Sequence, residues 1–187
     1  MNYRNNNTKK LLVDSFRNQL LNTPFDKITI KMITDGAGVI RTTFYSYFRD
    51  KYEIFEYILD EELFSVLYAL IENGLDMEAV KMIFTYFDKN RYFYEEAFKT
   101  EGQNSFEEIL SQKVLELFKR FIEKHRLKID VKIKALSDDI IAKYYSIGIV
   151  YLLKMWITDD TINKISSDDM YNAYMFLISN PILDILE

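Results

Sequence analysis

Residues 36–55 read GAGVIRTTFYSYFRDKYEIF. A short helix that only filled a core would carry apolar residues at helical spacing and little else. This one interrupts Phe44 and Phe48 with Arg41, Thr42, Thr43, Tyr45 and Tyr47, starts at a glycine turn and stops at Asp50-Lys51. One face is suited to packing and the other to hydrogen bonding and charge.

Upstream, Thr8 is expected to cap a first helix in which Leu11, Leu12, Ser15, Phe16, Gln19 and Leu20 recur at spacings of three and four, with Pro24 ending it. Thr29 caps a second, short helix holding Ile30, Met32 and Ile33, which Gly36-Ala37-Gly38 stops. The third runs from about 40 to 47. Three short helices with a glycine turn before the last spell a helix-turn-helix, whose final helix lies in the major groove of DNA. The motif spans about 29–48 within a head of residues 1–50.

The polar residues then acquire roles. Arg41 is placed to pair two N–H groups with guanine O6 and N7, and Thr42 and Thr43 to touch bases or donate to phosphate. Tyr45, Tyr47 and Lys51 are expected on flanking phosphates, with Thr29, Lys31 and the N–H groups of the second helix holding the opposite backbone. Charge agrees. Residues 1–51 carry nine Lys/Arg against four Asp/Glu, whereas the remainder carries fifteen against twenty-five. A basic head on an acidic body meets a polyanion through the head alone.

The run FDKITIKMITDGAGVIRTTFYSYFRDKYEIFEYIL, residues 25–59, resembles the DNA-binding head of the TetR/AcrR family of bacterial transcriptional regulators. Thr29, Ile33, Ala37-Gly38-Val39, Thr43-Phe44-Tyr45, Tyr47-Phe48 and Asp50-Lys51 carry the resemblance. It implies a divergent helical body that binds a small effector and dimerises through its last two helices. SIGIVYLLKMWI, residues 146–157, is similar to a glycine-then-tryptophan pattern of one subgroup. One departure stands out: family members usually carry Ser or Thr where this chain has Ile40. Isoleucine accepts no N–H bond, a loss of about 0.5–2 kcal/mol of helix stability.

The body, residues 51–187, is helical by the same reading. Asp50 caps a long fourth helix reaching Asn73-Gly74, Asp76 starts one to about Asp88, and Asn90 caps one to about Thr100. Ser105 and Glu108 make a capping box for a helix to about Leu127. KIDVKIKAL, residues 128–136, alternates like a strand but has nothing to pair with, so it reads as a loop or helix extension. Ser137 caps a helix to about Ile157, and Ser166 or Ser167 the last, to about Ser179. About nine helices are expected in an all-α fold.

The last two helices are apolar on more than one side and so need burial on more than one side, which a second copy provides. Gly148, Leu152, Trp156, Tyr174, Leu177 and Ile178 are the expected dimer contacts. The many aromatics of the body include Tyr68, Phe87, Tyr94, Tyr145 and Tyr151, the expected walls of an effector pocket. The acidic body favours a neutral or cationic effector over an anionic one.

Other classes of function find little support. With 49% hydrophobic and 28% charged residues, 5 Gly, 2 Pro and no Cys, the chain reads as globular, helical and free of disulfides and thiolate metal sites. MNYRNNNTKK lacks the apolar core of a signal peptide, and the apolar run 144–157 is too short to span a bilayer, so no membrane is expected and the cytoplasm is. His125 is the only histidine, and Asp138-Asp139 and Asp168-Asp169 sit where first-turn acids favour the helix dipole. No phosphate loop or nucleophile elbow appears. No enzyme, cofactor or metal is expected. The chain reads as a homodimeric regulator, a repressor, that binds a pseudo-palindromic double-stranded operator and is released by a small effector. A body that docks a protein partner instead is the alternative.

Overall fold

The computed structural model of the chain describes residues 2–125 and 136–186, with side chains described from residue 7 onward. Among the described residues there are ten helices and no strand. They are α1 (Asn2–Leu20), α2 (Ile30–Ala37), α3 (Arg41–Tyr45), α4 (Tyr52–Leu59), which continues through a π turn (Asp60–Phe64) into α5 (Ser65–Glu72), α6 (Asp76–Lys89), α7 (Arg91–Phe98), α8 (Phe106–His125), α9 (Asp138–Thr158), α10 (Ser167–Ser179) and α11 (Ile182–Ile185). The continuous α4–α5 segment counts once.

Most boundaries sit where local chemistry puts them. Thr29 Oγ1 accepts the N–H of Met32, Asp50 Oδ1 accepts those of Tyr52 and Glu53, and Ser137 and Ser166 accept those of Ile140 and Asp169. Ser105 Oγ accepts the Glu108 N–H, but the Glu108 carboxylate reaches back to the N–H of Asn104 rather than of Ser105. Gly38 closes α2 at φ 67°, which a side chain would strain. Other expectations are corrected. Thr8 lies inside α1, which begins at Asn2. Asn90 stands directly before α7, and its side chain donates to the Tyr86 carbonyl at the end of α6. The chain also turns helical again at Ile182, because Pro181 has the fixed φ that starts a helix. The strand-like alternation of residues 128–135 lies outside the described residues, as does any extension of α8 past His125.

The chain packs as two compact units, one of residues 1–62 and 92–110, the other of residues 63–91 and 111–187. In the first, Phe55 is the hub of an aromatic core: Phe16 and Phe106 meet it edge-on at 5.1 and 5.3 Å, and Phe25 stacks on it at 5.4 Å. Tyr94, fully buried, packs on Phe106 at 5.2 Å. α1 and α2 approach closely at Gly36, where an added Cβ would lie 2.3 Å from Ser15 Oγ.

In the second unit the buried Trp156 organises the core. Its Nε1 donates to the Ile165 carbonyl at 3.0 Å, the Arg91 guanidinium lies 4.5 Å over the ring, and Phe84 bridges it to Tyr174. Exposed ion pairs Lys81–Asp168 at 2.9 Å and Lys119–Asp139 at 2.7 Å link α6 to α10 and α8 to α9, so one acid of each acidic pair bridges two helices. α9 has 21 residues and is, by length and composition alone, long and apolar enough to cross a membrane. The shorter run 144–157 had suggested otherwise. Ala142, Ile149, Val150, Leu153, Trp156 and Ile157 on this helix are buried within the unit.

Candidate functional site

In the first unit, α2 and α3 are joined by Gly38, Val39 and Ile40, with Gly38 in the left-handed region. Ile33, Phe44 and Phe48 are buried and hold α3 against the unit, so its opposite side must face out. There Arg41, Thr42 and Tyr45 are exposed and Thr43 is half-buried. Arg41 Nη2 donates to the Tyr45 hydroxyl at 3.0 Å, with the guanidinium 5.6 Å from the ring centre, so the two side chains act as one group. Thr29 holds the start of α2, and the exposed Lys31 pairs with Asp35 one turn on at 2.5 Å. Tyr47 is half-buried at the end of the motif.

Two residues behave differently from the others. Ile40 occupies the N-cap position of α3 without any side-chain cap bond and is 72% exposed. The α3 N–H groups therefore lack the side-chain acceptor that Ser or Thr would supply. Lys51 is turned inward. Its ammonium donates to the carbonyls of Phe25 (2.6 Å) and Ile28 (2.9 Å) and lies 4.1 Å over the Phe25 ring. Partial burial pushes its pKa down, with Asp26 opposing. Of the eight residues expected to contact DNA, seven line the α2–α3 surface or its ends; Lys51 instead fastens the loop before α2 to the start of α4.

The second unit contains a cavity of about 380 Å³ walled by α5, α6, α8, α9 and α10, with Ile71, Val80, Phe118, Phe121, Ile141 and Ile149 on its surface. Tyr145 and Tyr174 also line it, and burial raises the Tyr174 phenol to about 12. Of the five expected pocket residues only Tyr145 lines this cavity. Phe87 is core, Tyr68 lies under the Arg120 guanidinium, Tyr151 points to solvent, and Tyr94 belongs to the core of the other unit. Helical periodicity could not separate these cases, because a core tyrosine and a pocket tyrosine obey the same spacing. The sequence reading took Asp76 only as a helix start, whereas it lines the cavity and pairs with His125 at 3.1 Å. A first-turn acid looks like a dipole partner in any helix.

On α9 and α10 a second, open groove is lined by Tyr144, Ile147, Gly148, Tyr151, Leu177 and Ile178 among others. Tyr144, Ile147 and Tyr151 are each about two-thirds exposed or more, at 74%, 69% and 65%. Nothing lies within 4 Å of where a Cβ on Gly148 would stand. Of the expected dimer contacts, Gly148, Leu177 and Ile178 are exposed here, Leu152 is half-buried, and Tyr174 is buried at the groove floor. Trp156 is core: wholly enclosed by its own unit, it offers nothing to a partner.

Two family models match the chain. Residues 14–58 match the model of bacterial regulatory proteins of the tetR family, and residues 77–179 match that of a transcriptional regulator C-terminal region. The HTH-type dhaKLM operon transcriptional activator DhaS of Lactococcus lactis is 23% identical over 175 residues, covering 91% of this chain and 88% of that one. A TetR-family transcriptional regulator from Syntrophomonas wolfei superposes with a TM-score of 0.71 at 17% identity, over 94% of each chain. FadR from Bacillus subtilis, solved with stearoyl-CoA, gives 0.60 at 14% identity, over 90% of this chain and 96% of that one.

Proposed function

The chain belongs to the TetR family and is a DNA-binding transcriptional regulator, and from that premise we propose that it is a cytoplasmic, non-enzymatic repressor working as a homodimer on a pseudo-palindromic operator. The observation that carries this reading is the two-faced α3, with Phe44 buried and Arg41, Thr42 and Tyr45 exposed on a five-residue helix. Arg41 would read a guanine, Thr42 and Thr43 would meet neighbouring bases, and Thr29, Lys31, Tyr45 and Tyr47 would hold phosphates. Functionally, residues 1–50 form the DNA-binding head and 51–187 the regulatory body.

Dimerisation is the role proposed for the apolar face of α9 and α10. A surface holding Tyr144, Ile147, Tyr151 and Leu177 is too apolar to be left in water, and a second copy covers it isologously. An effector is proposed because the second unit holds a partly open pocket whose volume falls within the usual range for small ligands, about 300–1,000 Å³. DhaS is named an activator, and where the operator lies relative to a promoter decides which sign a regulator has.

Selection from a random duplex library, followed by footprinting, tests the reading. Enrichment of two inverted half-sites about one helical turn apart, roughly 34–36 Å, is the expected result. Binding that never exceeds the affinity for random DNA would refute it.

A further inference from the structure

The pocket of the second unit and the open groove on α9 and α10 share part of their lining: Tyr145, Tyr174, Ile178 and Ser179 belong to both. Tyr145 stacks on Phe118, itself a pocket residue, and the buried Tyr174 packs on Phe84 of the core. Ile178 and Ser179, at the end of α10, are exposed. A second copy seated on the groove would therefore cover residues that also bound the pocket. Side chains in a close-packed wall do not move independently, so one that lines two spaces carries the state of each to the other. Among the described residues lining the pocket only Asp76 is charged, and it is paired with His125. The rest are apolar apart from Ser179 and the two phenols.

We propose that the pocket takes a neutral hydrophobic molecule, and that this molecule and a second copy of the chain bind cooperatively because Tyr145, Tyr174, Ile178 and Ser179 belong to both sites. This rests on the effector and dimer readings above and names how the two are joined. A neutral ligand brings no charge to be desolvated against apolar walls. The coupling is positive for two reasons. A partner over Ile178 and Ser179 removes water from the edge of the pocket, so more of the ligand's apolar surface is buried in the dimer. A ligand against Tyr145 and Tyr174 fills the space behind the groove and holds those rings in place for the partner, which lowers the cost of ordering the interface. By linkage, a ligand that binds the dimer more tightly must in turn favour the dimer.

N-phenyl-1-naphthylamine, an uncharged probe that fluoresces in apolar surroundings, tests this on the full-length protein. Val80 lines the pocket and not the groove, whereas Tyr151 lines the groove and not the pocket. The probe is expected to bind wild type, and Val80→Phe, which fills the pocket, should abolish that binding while still melting cooperatively. Tyr151→Arg, as a monomer, should bind the probe about fivefold more weakly or worse although its pocket is intact. Wild type diluted below its dimer dissociation constant should show the same loss, and saturating probe should shift sedimentation toward the dimer. Equal probe affinity in dimer and monomer, a Tyr151→Arg protein that stays dimeric, probe-driven dissociation, binding indifferent to Val80→Phe, or no binding at all would overturn the proposal. Cooperative binding that leaves the operator affinity of the preformed dimer unmoved would support the linkage and overturn the effector reading instead.

Discussion

Lys51 Nζ and the Ile28 carbonyl lie 2.9 Å apart, across 23 positions of sequence. With the Phe25 carbonyl as second acceptor, this lysine locks the loop ahead of α2 to the first residue before α4. A Lys51→Met variant is therefore expected to lose about 1–3 kcal/mol of stability, because two carbonyls lose a charged donor. Its slope of log affinity against log salt should match wild type. Urea denaturation and operator titration across salt concentrations read the two effects separately. A slope smaller by about one counterion, with stability unchanged, would place Lys51 on a phosphate after all.

Arg41 and Tyr45 share a hydrogen bond of 3.0 Å on the exposed side of α3. Arg41→Ala should cost about 1–3 kcal/mol at one operator position and relax the preference there. Tyr45→Phe keeps the ring and removes the acceptor that steadies the guanidinium, so a smaller loss at the same base pair is expected. Competition titrations with single-base operator variants check both. Equal losses on every sequence would show a phosphate contact, not a base contact.

Assembly separates two neighbouring residues of α9. Tyr151 is exposed, whereas Trp156 is enclosed by its own unit. Tyr151→Arg should give monomers in sedimentation and weaken operator binding, since the gain from two linked half-sites is lost. Trp156→Ala should remain dimeric where folded, while losing about 3–5 kcal/mol of stability. The reverse pattern would move the interface elsewhere.

Tyr174 predicts a pH dependence. Its folded pKa, about 12, lies above the ordinary 10 because burial disfavours the phenolate, with Tyr145 adding to the effect. The folded state thus favours the neutral form. The resulting stability is complete below pH 10 and is lost as pH rises from 10 through 12, amounting to at most about 3 kcal/mol. Tyr174→Phe should be less sensitive than wild type across that window in denaturation curves taken at pH 9 and pH 11. Parallel curves would refute the assignment.

What could be read directly from residue order was whatever local chemistry determines. Thr29, Ser105, Ser137 and Ser166 cap helices because their hydroxyls sit one turn from the N–H groups they accept, and that distance is set by sequence spacing. The two-faced character of α3 follows from Phe44 and Phe48 falling four residues apart among polar neighbours. Even the missing cap at Ile40 was visible in advance.

Only the tertiary structure decided which long-range partner each side chain meets. Tyr94 and Tyr145 each follow another aromatic residue on a helix, yet one packs on Phe106 in a core and the other lines a cavity. Lys51 looks like a phosphate ligand until Phe25 and Ile28 are seen beside it. Trp156 fits an interface pattern until Arg91 and Ile165 enclose it. Asp76 reads as a helix start until the cavity and His125 are seen beside it. The physical reason is common to all four. Helical periodicity says that a face is covered, whereas burial and pairing depend on what covers it, and that is set by contacts between residues far apart in the chain.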